Sequence, residues 1–163
     1  MTVTVRQARP EELATAGEVV LEAYLADGFL TPDDPYADHL RDAPGRARDS
    51  VVLVAVEDDE VLGSVTWCPV GSSHREIGRD GEGEFRALGV LPGAQGRGIG
   101  ERLVRACVDL ARQEGYHAVV LSSGDWMRAA HRVYERLGFE RIPERDWTPV
   151  PGVNLLAYRL ALS

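Results

Sequence analysis

Short apolar runs separated by polar turns dominate the chain, and most of them have the length and composition of β-strands. The strand-like stretches are Thr4–Ala8, Val51–Val56, Val61–Pro69, Glu84–Val90, Ala118–Leu121, Phe139–Ile142 and Leu155–Leu160. The acidic turn Glu57–Glu60 joins the second stretch to the third, which predicts an antiparallel hairpin. Pro92 ends the fourth stretch, because proline cannot donate to a β-ladder.

Helical spacing of apolar residues marks three other stretches. The first opens at Pro10–Glu12, where proline and acidic residues favour a first helical turn. The apolar residues on its predicted face are Leu13, Ala16, Val20 and Tyr24. The second stretch is Gly96–Glu114 and the third is Trp126–Leu137. Gly115 and Gly138 follow them at positions typical of helix C-caps.

The order of these elements predicts the fold class. The polar segment Thr31–Ser50 is expected to be a loop with a short helix around Tyr36–Arg41. The whole pattern favours an α/β (α+β) protein, with a mixed central β-sheet of about six to seven strands flanked by helices. The early strands are expected to be antiparallel, and a β-α-β unit lies in the middle. A length of 163 residues fits one domain, residues 1–163.

Composition and charge exclude several classes of function. The net charge of −8 argues against a nucleic-acid partner, because phosphate binding needs a basic surface. No apolar run approaches the roughly 20 residues of a membrane span. Residues Met1–Pro10 lack the apolar core of a signal peptide, so we expect a cytoplasmic protein. Cys68 and Cys107 form no C-x-x-C pair and are predicted to be buried apolar side chains.

Residues 95–100, with the sequence QGRGIG, are the strongest candidate for a binding site. They follow a predicted strand and open a predicted helix, where backbone N–H groups have no intrahelical partner. The helix dipole adds partial positive charge, and glycines at 96, 98 and 100 let a bulky anion approach the backbone. The segment therefore predicts a phosphate or pyrophosphate site, with a glycine-rich turn that binds nothing as the alternative.

Two other phosphate-binding motifs fit less well. A dinucleotide fingerprint needs glycine three residues after Gly98 or Gly100, and those positions hold Glu101 and Leu103. A Walker A loop needs Gly-Lys-Ser/Thr, which the chain lacks.

Read as a whole, the second half resembles the GNAT superfamily of acyl-CoA N-acyltransferases. The first matching segment runs from the strand Leu88–Pro92 into Gln95, Gly98 and Gly100, the family's Gln/Arg-x-x-Gly-x-Gly/Ala pattern. The second, Ala130–Phe139, is similar to the family's A-x-x-x-Y-E-x-x-G-F segment. The resemblance implies an enzyme that uses acetyl-CoA as cosubstrate and acetylates an amine-bearing substrate. It is compatible with a homodimer, although no residue requires one.

The resemblance also implies positions for the cofactor. Leu88 and Val90 would pair with the pantetheine arm through their backbones, across a slot opened by a bulge in their strand. The residues expected to hold the pyrophosphate are Gln95, Gly96, Arg97, Gly98, Ile99 and Gly100. Ser123 and Ala130 would line the slot. Met127 stands where many family members have asparagine, which puts one side-chain hydrogen bond to the pantetheine in doubt.

Acetyl transfer needs a base and an acid. A lysine-like amine has a pKa near 10.4 and free Glu one near 4.3, so direct proton transfer is uphill by roughly 8 kcal/mol. Glu84 is the candidate base, provided burial raises its pKa or water relays the proton, and Glu82 is its nearest rival. Tyr134 is the candidate acid and would hydrogen-bond to the departing thiolate. The backbone N–H of Val90 could polarise the thioester carbonyl.

Other polar residues carry weaker signals. The four histidines show no metal-ligand spacing, and His131, one turn before Tyr134, is expected to have a surface or packing role. The acidic residues Asp33, Asp34, Asp38 and Asp42 could attract a cationic amine or simply form a solvated loop. Trp147–Pro149 could be an acceptor wall or ordinary packing. The alternative functions are a CoA-binding regulatory module without turnover and a nucleotide-binding protein.

Overall fold

A computed structural model describes residues 2–163. The strands are β1 Thr4–Gln7, β2 Val51–Glu57, β3 Glu60–Cys68, β4 Glu82–Val90, β5 Ala118–Gly124, β6 Glu140–Arg141, β7 Trp147–Val150 and β8 Val153–Ala161. The helices are α1 Leu13–Ala26, α2 Pro35–Arg41, α3 Ala43–Arg46, α4 Ile99–Gln113 and α5 Arg128–Arg136. Short 3-10 turns lie at Pro10–Glu12, Pro92–Ala94 and Pro143–Arg145.

All eight strands form one mixed sheet in the order β1-β2-β3-β4-β5-β8-β6, with β7 paired to β8. The pair β4–β5 is parallel, and the other described pairs are antiparallel. The helix α4 connects β4 to β5, as expected for a β-α-β unit. This arrangement confirms the predicted mixed sheet flanked by helices, and the β2–β3 hairpin is present as predicted.

The apolar residues divide into cores on the two faces of the sheet. The larger core packs α4 and α5 against the sheet around Phe85, Leu103 and Tyr134. The opposite face carries α1, α2 and α3, whose buried residues include Val20 and Leu40. Cys68 and Cys107 are both fully buried, as expected. Within residues 2–163, no helix combines the length and apolar character needed to cross a bilayer.

Among the differences from the sequence-based expectation, proline and glycine explain two. Strand β7 was not predicted, because Pro149 interrupts the run, but an edge strand such as β7 tolerates proline. The second long helix begins at Ile99 rather than Gly96. Gly96 and Gly98 have φ angles of 82° and 75°, which a right-handed helix cannot contain.

The close approach of α1 to the end of α2 predicts a large effect of a small substitution. A Cβ atom added at Gly17 would lie 1.9 Å from the backbone carbonyl oxygen of Arg41. We expect Gly17→Ala to lower the free energy of unfolding by about 1–3 kcal/mol, because the two helices must move apart. Gly93→Ala is the matched control, since its Cβ would meet nothing within 4 Å. Equal melting temperatures of the two variants would contradict this expectation.

Candidate active site

A bulge in β4 opens a gap in the middle of the sheet. The register between β3 and β4 shifts between Ser64 and Thr66, and Ala87 in the facing part of β4 has φ 55°. Beyond the paired segment Glu82–Glu84, the parallel strands β4 and β5 are no longer paired. The bulge and the separation of the two strands are those that the family resemblance implied.

A cleft of about 420 Å³ occupies this gap and the surface beside it. The predicted cofactor residues that line it are Leu88, Val90, Gln95, Gly96, Gly98, Ile99, Gly100 and Ala130. The helix α1 contributes Tyr24, and α5 contributes Arg128 and Arg136. The cleft is therefore enclosed by elements from both faces of the sheet. Two arginines line it, and one of them, Arg136, lies 3.5 Å from Glu101 in the first turn of α4.

The glycine-rich end of the cleft is built to hold an anion. Helix α4 starts at Ile99 after Gly98, and within residues 2–163 no side chain caps its N-terminus. The first N–H groups of the helix, from Ile99 to Glu101, have no intrahelical partner. A Cβ atom at Gly96 or Gly98 would meet nothing within 4 Å, so the space in front of these amides is open. Open amides and a helix dipole together suit a phosphate or pyrophosphate.

Two side chains of the QGRGIG segment have separate contacts. The Gln95 amide nitrogen lies 3.5 Å from the carbonyl oxygen of Val90, at the edge of hydrogen-bonding range. Arg97 does not line the cleft, because its guanidinium forms an ion pair with Glu57 at 2.6 Å. Any contribution of Arg97 to anion binding therefore has to come from its backbone.

The candidate acid Tyr134 lies beneath the cleft rather than in its wall. It is 3% exposed, and its ring packs against Phe85, Phe139 and Tyr158. Burial raises the pKa of Tyr134 well above 10, although a hydrogen bond with the Ser123 hydroxyl lowers it in part. The phenol is thus a neutral hydrogen-bond donor at physiological pH.

Ser123, predicted to line the slot, is also buried. Its hydroxyl lies 3.9 Å from the sulfur of Met127, which does line the cleft. Met127 occupies the position of the family's asparagine and offers only a weakly accepting thioether there.

The candidate base Glu84 is fully buried and held by a loop. Its carboxylate accepts hydrogen bonds from the backbone N–H groups of Glu76, Ile77 and Gly78, at 2.8–3.1 Å. Burial raises the pKa of Glu84, while these backbone hydrogen bonds lower it in part. A base requires such a raised pKa. However, the Glu84 carboxylate closes the turn at residues 76–78 and does not line the cleft. The base role of Glu84 stays a prediction.

The rival base Glu82 is unsuited to accept a proton. It is 3% exposed and bonded to Arg145 at 2.6 Å and to Arg159 at 2.9 Å. Although burial raises it, these charged hydrogen bonds bring the pKa of Glu82 to about 2. Such a carboxylate stays ionised near neutral pH, so Glu82 has a structural role.

An aromatic stack covers the cleft at the start of α5. The rings of Phe29 and Trp126 lie 3.8 Å apart and nearly parallel, at 9°. Phe29 follows α1, whereas Trp126 precedes α5, so the stack bridges the two sides of the cleft. The indole nitrogen of Trp126 is buried without a partner within residues 2–163.

The remaining candidates have local partners. Asp34 and Asp42 cap α2 and α3, and Asp38 pairs with Arg41, so three of the four acidic side chains stabilise short helices. The acidic loop is therefore more structural than the sequence indicated.

Two other candidates on the far side of the cleft also bond locally. His131 lies 3.0 Å from the carbonyl oxygen of Gly124, a packing contact as expected. The Trp147 indole donates to Ser122 at 3.2 Å, which favours packing over an acceptor wall.

Comparisons with known proteins agree with this geometry. The model of the acetyltransferase (GNAT) family matches residues 18–139. N-acetylaspartate synthetase of Homo sapiens is 33% identical over 142 residues, covering 86% of this chain and 43% of that protein. The chain thus spans less than half the length of this relative.

Solved structures show the same fold. An acetyltransferase of the GNAT family from Staphylococcus aureus Mu50 superposes with a TM-score of 0.78 at 13% identity, covering 99% of this chain and 100% of that one. The yncA protein of Salmonella typhimurium, solved with acetyl-CoA, gives a TM-score of 0.71 at 24% identity, covering 100% and 95%. Because the family model matches most of the chain and includes both motifs around the cleft, the protein belongs to the GNAT family of acetyltransferases.

Proposed function

We propose that this protein is an N-acetyltransferase that moves the acetyl group of acetyl-CoA directly to a primary amine. The observation that carries the proposal is the cleft itself, which runs from the gap between β4 and β5 to the open amides of α4. A long ligand with a phosphate-rich end and a narrow arm fits such a cleft.

The residues present suit each part of acetyl-CoA. The amides from Gly96 to Gly100 would hold the pyrophosphate, and the exposed arginines Arg128 and Arg136 offer cations to further phosphate groups. The unpaired edge of β4 at Leu88 and Val90 would hydrogen-bond the amide groups of the pantetheine arm. The human relative is named N-acetylaspartate synthetase, which supports an acetylated amine as the product.

The chemistry follows from positioning rather than from a covalent enzyme intermediate. The neutral amine nitrogen attacks the thioester carbonyl and the new C–N bond forms. The C–S bond breaks to release CoA thiolate, and the proton lost by the nitrogen passes to solvent. The N–H of Val90 would stabilise the oxyanion, and Tyr134 would donate a hydrogen bond to the thiolate. Because burial raises the pKa of Tyr134, full proton transfer is more strongly uphill than for a free phenol.

Calorimetric titration with acetyl-CoA, with CoA, ATP and NAD as controls, tests the cofactor half of the proposal. We expect selective binding of acetyl-CoA and CoA, followed by thiol release when an amine panel is added. Binding without thiol release for any amine would favour a CoA-binding regulatory module. Binding of ATP or NAD in preference to acetyl-CoA would overturn the proposal.

The hydroxyl of Tyr134 supplies a second test. We expect Tyr134→Phe to lower kcat by about 100-fold with little change in acetyl-CoA affinity, because only the hydrogen bond to the leaving thiolate is lost. Tyr116→Phe is the matched control, since the Tyr116 hydroxyl accepts from the Val70 N–H away from the cleft. Unchanged turnover in Tyr134→Phe, measured by thiol release, would rule out the acid role.

A further inference from the structure

Two arginines, the buried Arg46 and the partly buried Arg86, lie on the α1–α3 side of β4, and acetyl transfer as described above does not use them. Arg86 stands in β4 directly before the bulge residue Ala87. Arg46, at the end of α3, is only 4% exposed. Burying two guanidinium groups is unfavourable unless their charges have a use or a partner, so their contacts need an explanation.

The guanidinium of Arg46 donates its hydrogen bonds to uncharged oxygen atoms. Its Nε donates to the Thr66 hydroxyl at 3.0 Å, and Nη2 donates to the carbonyl oxygen of Leu40 at 3.1 Å. Within residues 2–163, no carboxylate forms a salt bridge with Arg46. Thr66 is the register partner of Arg86 on the neighbouring strand, so the Arg46 charge lies beside Arg86 and adds to the positive potential there.

Arg86, in contrast, has an N–H donor without a hydrogen-bond partner in the described part of the chain. Its Nη1 donates to the carbonyl oxygen of His74 at 3.3 Å and lies 3.6 Å from the Glu76 carboxylate. Its Nε is buried and has no hydrogen-bond partner among the described residues. The side chain as a whole is 19% exposed, so part of it remains accessible. A buried N–H without a partner needs an explanation, and a ligand that approaches the partly exposed side chain would supply one.

Tyr24 connects this cluster to the cleft. It lines the cleft, and its ring centroid lies 6.5 Å from that of Tyr36 on α2. Burial raises the pKa of Tyr24, and the charges of Arg86 and Arg46 lower it in part, as expected for a phenol beside both cations. Along β4, Arg86 precedes the cleft residue Leu88 by two positions, a rise of roughly 7 Å. The cleft residues Tyr24 and Leu88 thus connect the arginine pair to the cleft, which Arg86 itself does not line.

We propose that Arg86 binds the carboxylate of the acceptor, and that the acceptor class is amines that carry a carboxylate close to the amino group, such as amino acids. This rests on the proposed N-acetyltransferase function. A carboxylate is planar and takes two parallel N–H donors, which matches the geometry of one guanidinium. In a protein of net charge −8, a local pair of arginines is what lets an anionic acceptor approach. Arg46 acts as a positioning residue through its charge and its bond to Thr66.

The test compares the common L-amino acids with their matched carboxamides in a thiol-release assay. Wild-type protein, Arg86→Gln, Arg86→Lys and the control Arg112→Gln are assayed together, since Arg112 is 54% exposed on α4. We expect the wild type to prefer the acids in kcat/KM. Arg86→Gln raises KM for the acids by about 10- to 100-fold and leaves values for the amides nearly unchanged. Arg86→Lys keeps the charge but not the planar guanidinium, so its KM for the acids lies between those of the wild type and Arg86→Gln.

Several results would overturn the assignment. They are equal turnover of acids and amides by the wild type, a preference for acids that survives in Arg86→Gln, and turnover of neither set by protein that binds acetyl-CoA. Binding of acetyl-CoA to the wild type is measured separately by calorimetry. If acetyl-CoA does not bind, the proposed function is wrong, and this inference is wrong with it. Melting temperatures of the variants show whether a loss of turnover reflects unfolding instead of lost recognition. If Arg86→Gln is unfolded, the KM values of Arg86→Lys decide the assignment.

Discussion

Replacement of Gly100 by leucine is expected to lower the affinity for acetyl-CoA at least 100-fold while the protein stays folded. A Cβ atom at Gly100 would meet only Val90 Cγ2, at 3.8 Å, and Gly100 lies in the first turn of α4 without a positive φ. Leucine is therefore compatible with the helix, and its side chain extends into the cleft. It would displace a phosphate from the amides, and each lost charged hydrogen bond is worth about 1.5–3 kcal/mol.

Calorimetry with acetyl-CoA and a thermal melt measure both halves of this expectation. Arg112→Leu is the control, because it adds the same side chain to an exposed position of α4 away from the cleft. Full affinity in Gly100→Leu would mean that the pyrophosphate binds elsewhere. Loss of affinity together with a large fall in melting temperature would show a folding defect instead.

The proposed pyrophosphate site could be predicted from the sequence because the residues that would form it are neighbours along the chain. The glycines of QGRGIG, the strand before them and the helix after them lie within a few residues of one another. The structure places Gly96, Gly98 and Gly100 in the cleft as expected. The contact of Arg97 with Glu57 was not predictable, since these residues come from distant parts of the chain.

The acceptor side depends on tertiary contacts, which no local pattern reveals. Tyr24 appeared only as one residue of an apolar helix face, yet it lines the cleft because α1 packs beside β4. The one sequence signal for Arg86 is a charge inside the otherwise mostly apolar end of a strand. Its importance emerges only when Thr66 and Arg46 are brought against it by the sheet and α3.

Tertiary contacts also determine the environments of Glu84 and Glu82, which is why the sequence alone did not predict them. The sequence predicts Glu84 at the start of a strand and Glu82 in the polar segment before it, where exposure is the ordinary expectation for an acidic residue. The chain between β3 and β4 folds back so that the amides of residues 76–78 surround Glu84. Glu82 instead meets two arginines from the last third of the chain. The pKa shifts are opposite because burial raises the pKa of Glu84 more than these amides lower it. Burial also raises the pKa of Glu82, but the two arginines lower it by more.

Replacement of Glu82 by glutamine is expected to lower the free energy of unfolding at pH 7 by about 3 kcal/mol. The loss would leave Arg145 and Arg159, 12% and 30% exposed, without their common counter-ion. These ion pairs join the start of β4 to β8, through Arg159, and to the 3-10 turn Pro143–Arg145. They lie at the end of the gap where β4 and β5 still pair. For a chain of this size the melting temperature should fall by roughly 6–12 °C.

The pH dependence of the same variant distinguishes an ion pair from mere packing. The pKa of Glu82 falls from 4.5 in its ordinary state to about 2 in the folded protein. A lowered folded pKa gives stability that is fully present above pH 4.5 and is lost as the pH falls toward 2. The difference in melting temperature between wild type and Glu82→Gln should therefore shrink steadily over that window, while the exposed control Glu22→Gln shows little difference at any pH. A difference that stays constant from pH 7 to pH 3 would mean that Glu82 stabilises the sheet through its shape and neutral hydrogen bonds rather than its charge.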